Sequence, residues 1–322
     1  MFQLTKTKGK VNLIIKNHVV RYVESQSNSL DGIIDFGEKP LSESVFKDGE
    51  ITDNVVFSQV IEDLVDENDW KNKPMNFCVP DASVVIRPYQ VPANLKESEI
   101  KGYIFMQLGD TLHLPFEFPS FDFHIIDQNE ETYQLLLFAS PENQVESLST
   151  IFSNHKLKPK SADISSLAVY RLYDRLGRSN PEDHLLSIQW NVDSCILTVF
   201  HGLKPIFVRN MKSPLPIGEW KYKQGGFHWK GDQAEYDEYY YDQLSEIERI
   251  MNFYRFSVMN GESGVNRILL TGDSPDLNRV RLDLDERFQL PVDQMEHELQ
   301  TKDGRTIPDS FIEAVGLSIK KQ

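Results

Sequence analysis

The chain has 322 residues, 40% of them hydrophobic, enough to fill a core in each of two ordinary domains. A formal net charge of −15 repels phosphate backbones and anionic headgroups, which argues against nucleic-acid binding and direct electrostatic attachment to a membrane. Cys78 and Cys195 stand far apart in apolar runs and read as free thiols of a reducing compartment. Residues 1–6 lack the apolar core of a signal peptide and no eighteen-residue apolar run occurs, so a cytoplasmic protein is expected.

Residues 11–15 and 19–23 flank Lys16, Asn17 and His18 in the pattern of a tight β-hairpin, and 32–37 adds a third strand. Asp48-Gly49 marks a turn. Val56, Val60, Ile61 and Leu64 repeat at helical spacing within 55–65, and 74–80 reads as a short buried strand, so the opening indicates a mixed α/β sheet. An extended run at 84–92, a helix from 96 to 108 and strands at 121–126 and 133–139 make a small α+β insertion. After a helix over 141–152, residues 158–168 read as a linker, in which Asp163 is expected to cap the next helix or to act at a hinge. Strands at 185–190 and 194–202, continued at 206–209, repeat the opening of the chain. Residues 214–241 are aromatic and acidic without periodicity, whereas 244–256 form an amphipathic helix along Ile247, Ile250, Met251 and Tyr254. A buried strand at 267–271 then runs into Gly272, expected at positive φ, and a Pro-initiated helix at 307–318 closes the chain.

Several phrases in this order resemble the PilM family of type IV pilus assembly: Arg87 before an X-Pro step, Leu114-Pro115-Phe116, the Glu246-x-x-Arg249 helix, the Thr271-Gly272-Asp273-Ser274 turn and the C-terminal helix. The resemblance implies an α/β, actin-like (RNase H-like) two-domain fold with an inserted α+β subdomain. Residues 1–160 would form the first domain, with the insertion at 84–140, and residues 161–322 the second, its lobe shortened at 210–243. It further implies a cytoplasmic scaffold for a type IV pilus or a related competence or secretion pseudopilus, peripheral to the membrane. Such a scaffold binds the N-terminal cytoplasmic tail of a PilN-like single-pass membrane protein in a groove between the first domain and the insertion, and oligomers are open to it. No motif marks the groove residues.

The family also implies a nucleotide held between two glycine turns, with an aspartate at each strand end for Mg²⁺. Here the first turn reads Ile14-Ile15-Lys16-Asn17-His18 and the second Ile188-Gln189-Trp190-Asn191-Val192, without those glycines and aspartates. Trp190 stands where a glycine would meet a phosphate. Trp190 itself, or the aromatic run near Tyr239, is expected to fill the cleft. Lys16 and His18 could contact an anion and Asp193 a metal, but a solvated turn accounts for all three. Glu246, Arg249, Gly272, Asp273 and Ser274 remain as a vestigial adenosine site, and Asp273, in place of a family glycine, would repel a phosphate. Cys-x-x-Cys, His-x-x-x-His, Gly-x-Ser-x-Gly and Walker phrases are missing, and Asp283 with Asp285 reads as a solvated helix face. The expectation is therefore a non-enzyme with no metal, no catalytic residue and no cofactor, binding ATP weakly or not at all. The rival readings are an actin-like ATPase with a divergent site and an FtsA-like division scaffold, for which no anchor helix follows Leu317.

Overall fold

The computed structural model describes residues 9–223 and 226–321; residues 1–6 and Gly225, which entered the sequence reading, lie outside them. The first sheet is built from β1 (Lys10–Ile15), β2 (Val19–Ser25) and β3 (Ile33–Pro40), which pair antiparallel in succession. A small β4–β5 hairpin (Phe46–Lys47, Glu50–Ile51) follows, turning at Asp48 and Gly49, both at positive φ. Helix α1 (Asn54–Glu67) is capped by the Asp53 carboxylate on the Val55 and Val56 amides. It buries Phe57, Ile61, Leu64 and Val65, whereas Val56 falls off the expected face. Strand β6 (Pro74–Cys78) joins β1 in parallel.

The insertion holds β7 (Val85–Pro92), α2 (Glu97–Gln107), β8 (Pro119–Gln128) and β9 (Thr132–Pro141), with sheet order β7-β9-β8 and α2 packed over its own small core. The chain returns through α3 (Glu142–Asn154) to β10 (Lys158–Asp163), which completes the order β10-β6-β1-β2-β3. The segment read as a linker is thus mostly a strand, paired in parallel with β6 because Pro159, Ala162 and their neighbours align with Met75 and Phe77.

Helix α4 (Ser165–Arg175) leads to the second sheet, made of β11 (Leu185–Trp190), β12 (Ser194–His201) and β13 (Lys204–Lys212). A hairpin of β14 (Trp220–Lys223) and β15 (Gly226–Trp229) and the long helix α5 (Gln233–Phe253) follow, then β16 (Arg267–Thr271), α6 (Leu277–Phe288) and β17 (Val292–Gln294). The order β13-β12-β11-β16-β17, antiparallel then parallel, copies the first sheet element for element. The repeat read at residues 11 and 185 is therefore architectural.

Two further expectations change. The run at 233–241 is helical and periodic: Tyr236, Tyr239, Tyr240, Leu244 and Ile247 form one buried stripe of α5, at the three- and four-residue spacing that acidic residues between them concealed. Asp163 does not cap α4. Ile164 holds the cap position without a side-chain bond, and Asp163 instead pairs with Arg171 at 2.8 Å and Lys320 at 3.3 Å. The last helix, α7 (Ile312–Ser318), is buried all round and packs back on α4, β1 and β2. Its Gly316 lies so close to α4 that a Cβ there would stand 1.9 Å from the Ala168 carbonyl oxygen.

Candidate functional site at the interdomain cleft

The duplicated architecture brings the β1–β2 turn of the first sheet against the β11–β12 turn of the second, with the Gly272–Ser274 turn after β16 beside them. Lys16, His18 and Asp193, expected in solvated turns, are instead buried, at 7%, 0% and 7% exposure. The reason is mutual: the two turns touch, and each charged group is covered by its partners. The Asn17 amide donates to Asp193 Oδ2 at 3.2 Å, and His18 Nδ1 lies 3.5 Å from the same oxygen.

Asp273 is the centre of this contact. Its Oδ2 lies 2.7 Å from His18 Nε2 and accepts from Arg21 at 2.7 Å, while Oδ1 accepts the Val192 backbone amide at 3.0 Å. Arg21 also donates to Glu38 at 2.8 Å, and Glu38 accepts from the Tyr222 hydroxyl at 2.7 Å. Burial alone would lower the His18 pKa, but Asp273 and Asp193 outweigh it and hold the imidazole up at about 9. Burial pulls both carboxylates the other way, and the cations prevail: His18, with Arg21 and Lys16, keeps Asp273 well below the usual range, and His18 and Lys16 lower Asp193.

Deeper in the cleft the Lys16 ammonium lies 2.9 Å from Glu313 and 3.9 Å from Asp81. Glu313 accepts from Gln189 at 2.7 Å, and Asp81 accepts from Ser165 at 2.5 Å, so residues of α4, α7 and both sheets close on one cation. Burial raises the Asp81 pKa despite Lys16. An apolar layer seals the outer side: Val19 of the first domain packs with Val192, Leu215, Trp220, Phe227, Tyr236 and Tyr239 of the second, and the Phe227 ring meets His18 edge-on at 4.8 Å. Tyr239 thus packs inward as expected. Trp190 is buried too, but in the second domain's own core beside Tyr240, not as a plug between the turns.

Gly272 takes φ +131°, as expected, and a Cβ there would stand 2.0 Å from the Trp190 carbonyl oxygen; its freedom serves the approach of two strand ends. Ser274 donates its amide to that same carbonyl at 3.2 Å. Glu246 and Arg249, the other members of the expected adenosine site, lie on the solvent side of α5 and pair with each other at 2.9 Å. The expected face of Asp283 and Asp285 is half correct, because Asp283 accepts from the buried Tyr240 hydroxyl at 2.7 Å.

The two turns leave no gap for a phosphate between them. A phosphate accepting from both turns needs them roughly 5–6 Å apart, two hydrogen-bond lengths, and they are bonded directly. A cavity of about 260 Å³ remains beside them, lined by Asp48, Asp81 and Asp193 together with Lys16 and Lys212. Among the described residues no group of three or more His, Cys, Asp and Glu side chains is placed to hold a metal. Arg21, Glu38, Asp81 and Glu313 were missed in the sequence. Two carried a signal: Arg21 shares a strand face with Val19 and Val23, and Glu313 is the one charge in an otherwise apolar helix.

The fold recurs in solved structures. A PilM-PilN type IV pilus biogenesis complex contains a chain that matches with TM-score 0.72 at 17% identity, covering 97% of this chain and 99% of that one. The cytoplasmic domain of EpsL, an inner membrane component of the Vibrio cholerae type II secretion system, matches with TM-score 0.52 at 8% identity, covering 98% and 96%. MreB5 of Spiroplasma citri, solved with AMPPNP, matches with TM-score 0.50 at 11% identity, covering 98% and 96%. The fold is therefore actin-like. No curated protein matches the sequence. The model of the family described as type IV pilus assembly protein PilM matches residues 15–213, well over half of the chain, from the turn before β2 through the insertion and α4 to the end of β13. The chain belongs to the type IV pilus assembly protein PilM family.

Proposed function

We propose that this protein is a scaffold in the assembly of a type IV pilus or a related pseudopilus, without nucleotide turnover, that seats the N-terminal cytoplasmic tail of a PilN-like single-pass membrane protein. The observation that carries the reading is a groove of about 530 Å³ between the insertion and the first domain. Phe121 and Phe123 of β8, Phe138 of β9, Ile164 and Leu167 line it, interspersed with charged side chains that include Lys101, Arg171 and Lys320. Strand β8 is the outer strand of the three-stranded insertion sheet, so one of its edges is available to an added strand. An extended tail gains affinity from main-chain bonds to such an edge and specificity from alternate side chains in the apolar lining. Attachment to the membrane would then run through the partner, in keeping with the lack, among the described residues, of a helix long and apolar enough to cross one.

A synthetic peptide of the tail of the PilN-like protein from the same genome tests this. Ala162 is exposed in the groove, and Ala162→Trp fills it without touching the cleft. The variant is expected to weaken the peptide at least about tenfold, roughly 1.4 kcal/mol. Asn143→Trp, in the separate trough on the other side of the insertion, should leave binding unchanged. Equal binding by Ala162→Trp and wild type would move the tail elsewhere. The nucleotide-free part rests on the bonded turns, and titration calorimetry showing micromolar Mg-ATP binding would overturn it.

A further inference from the structure

We propose that the cleft carries its own ligand: the Asp273 carboxylate takes the place of an anion between the two turns, and the Lys16 ammonium that of a cation beneath them, so that the domains are held closed with nothing bound. The inference rests on the nucleotide-free part of the proposed function and is independent of the partner.

The donors that converge on Asp273 are those that recognise an oxyanion: one turn amide, Val192, and two cationic side chains, His18 and Arg21. They come from both domains, Val192 from the second sheet and the other two from the first, so the carboxylate bridges the cleft as a bound anion would. Lys16 does the complementary work, since Glu313 and Asp81, tied through Gln189 and Ser165 to β11 and α4, flank its ammonium. A free ligand closes a hinged protein only as far as its concentration and differential affinity allow. A carboxylate that is part of the chain is present at a fixed effective concentration, and closure becomes a constant property of the molecule.

Asp273→Ala tests this, because it leaves the three donors in place and opens room for a small anion. The readouts are amide hydrogen exchange at 16–18 and 191–193 and the radius of gyration from X-ray scattering. Wild type is expected to be protected and compact without ligand and unchanged by Mg-ATP. Asp273→Ala should exchange about a hundredfold faster in both turns and expand, and formate or acetate, but not chloride at equal ionic strength, should reverse both changes. Asp273→Asn, which keeps the volume, is the second variant should alanine prevent folding, and its turns should also lose protection. An alanine or asparagine variant as closed as wild type would overturn the proposal, as would an alanine variant that opens and is not reclosed by either carboxylate. Wild-type turns that gain protection with Mg-ATP would instead overturn the nucleotide-free reading beneath it.

Discussion

The interdomain cleft and the groove beneath the insertion are both concave seams between packed units, yet they are finished in opposite ways. In the cleft, three buried cations meet five carboxylates, of which Asp193, Asp273 and Glu313 are buried and Glu38 and Asp81 partly exposed, with a layer of Tyr, Trp and Phe over them. In the groove, three phenylalanines with Ile164 and Leu167 line an open seam beside a strand edge, and the charges among them, such as the Asp163 pairs with Arg171 and Lys320, lie partly in solvent. Buried charge stabilises only when every partner is present, and removing one leaves the others stranded at several kcal/mol. Apolar lining loses little when one side chain changes and gains when another surface covers it. The cleft is thus constructed as finished core, and the groove as an open surface.

The largest effect expected on this comparison comes from Gly272→Val. The position needs a backbone conformation that valine disfavours, and a Cβ 2.0 Å from the Trp190 carbonyl forces the β11 and β16 ends apart. A loss of about 4 kcal/mol or more is expected, enough to unfold a marginal domain. Urea denaturation followed by tryptophan fluorescence measures it. A valine variant within about 1 kcal/mol of wild type would mean that the strand ends are free to part, and the cleft would lose its description as core.

Next in size is a pH dependence. The His18 pKa is held above its ordinary value, at about 9. Its contribution is therefore fully present below the unfolded value near 6.5 and is lost as pH rises through about 9. Asp273 and Asp193 are shifted down, so their contribution is present above the ordinary carboxylate range and is lost as pH falls through their folded values. Asp273, Asp193, Arg21 and Lys16 are the charged groups that face His18, and the last two stay cationic through this range. The His18 contribution should thus be constant below about pH 6.5 and fall on the alkaline side by about 3 kcal/mol, while Asp81, whose folded pKa burial pushes up to about 6, disfavours folding increasingly as pH rises from its ordinary value to about 6. His18→Gln should remove the alkaline slope. A slope that survives in His18→Gln would assign it to another group.

The frame of this molecule was legible in its sequence because it rests on short-range patterns. The two hairpins, the alternation of β7 to β9 and the turn at Gly272 follow from periodicity and from what glycine alone tolerates. Helix α5 was half lost because Asp237, Glu238 and Asp242 interrupt its tyrosine stripe, so the charge was legible and the period was not. The cleft was misread for a different reason. Lys16, His18 and Asp193 are polar residues in turns, and locally they belong in water. What buries them is Asp273, more than two hundred residues from the first turn, and no local signal reports a partner at that distance. Arg21 on an apolar strand face and Glu313 in an apolar helix were the two places where the buried network left a mark. The family resemblance implied a partner groove between the insertion and the first domain without naming its residues, and the lining of the groove present there comes from the way β8, β10 and α4 meet.

The smallest effect expected sharpens the boundary of the cleft. Glu246 and Arg249 would belong to it if an adenosine site survived along α5, and they would then change together with Asp273. The structure puts them outside, with the Arg249 side chain 73% exposed and its carboxylate partner one helical turn away. An exposed pair at that spacing contributes about 0.3–0.5 kcal/mol, reduced further by salt. Arg249→Ala should therefore shift the unfolding midpoint by no more than about 1–2 °C for a chain of this size and leave the exchange of the 16–18 and 191–193 turns untouched. It should also leave affinity for the tail peptide as it is, since α5 borders neither the groove nor β8. If Arg249→Ala loosened the two turns to the extent expected of Asp273→Ala, the cleft would reach across α5, and the division between a finished core there and an open surface under the insertion would have to be redrawn around that helix.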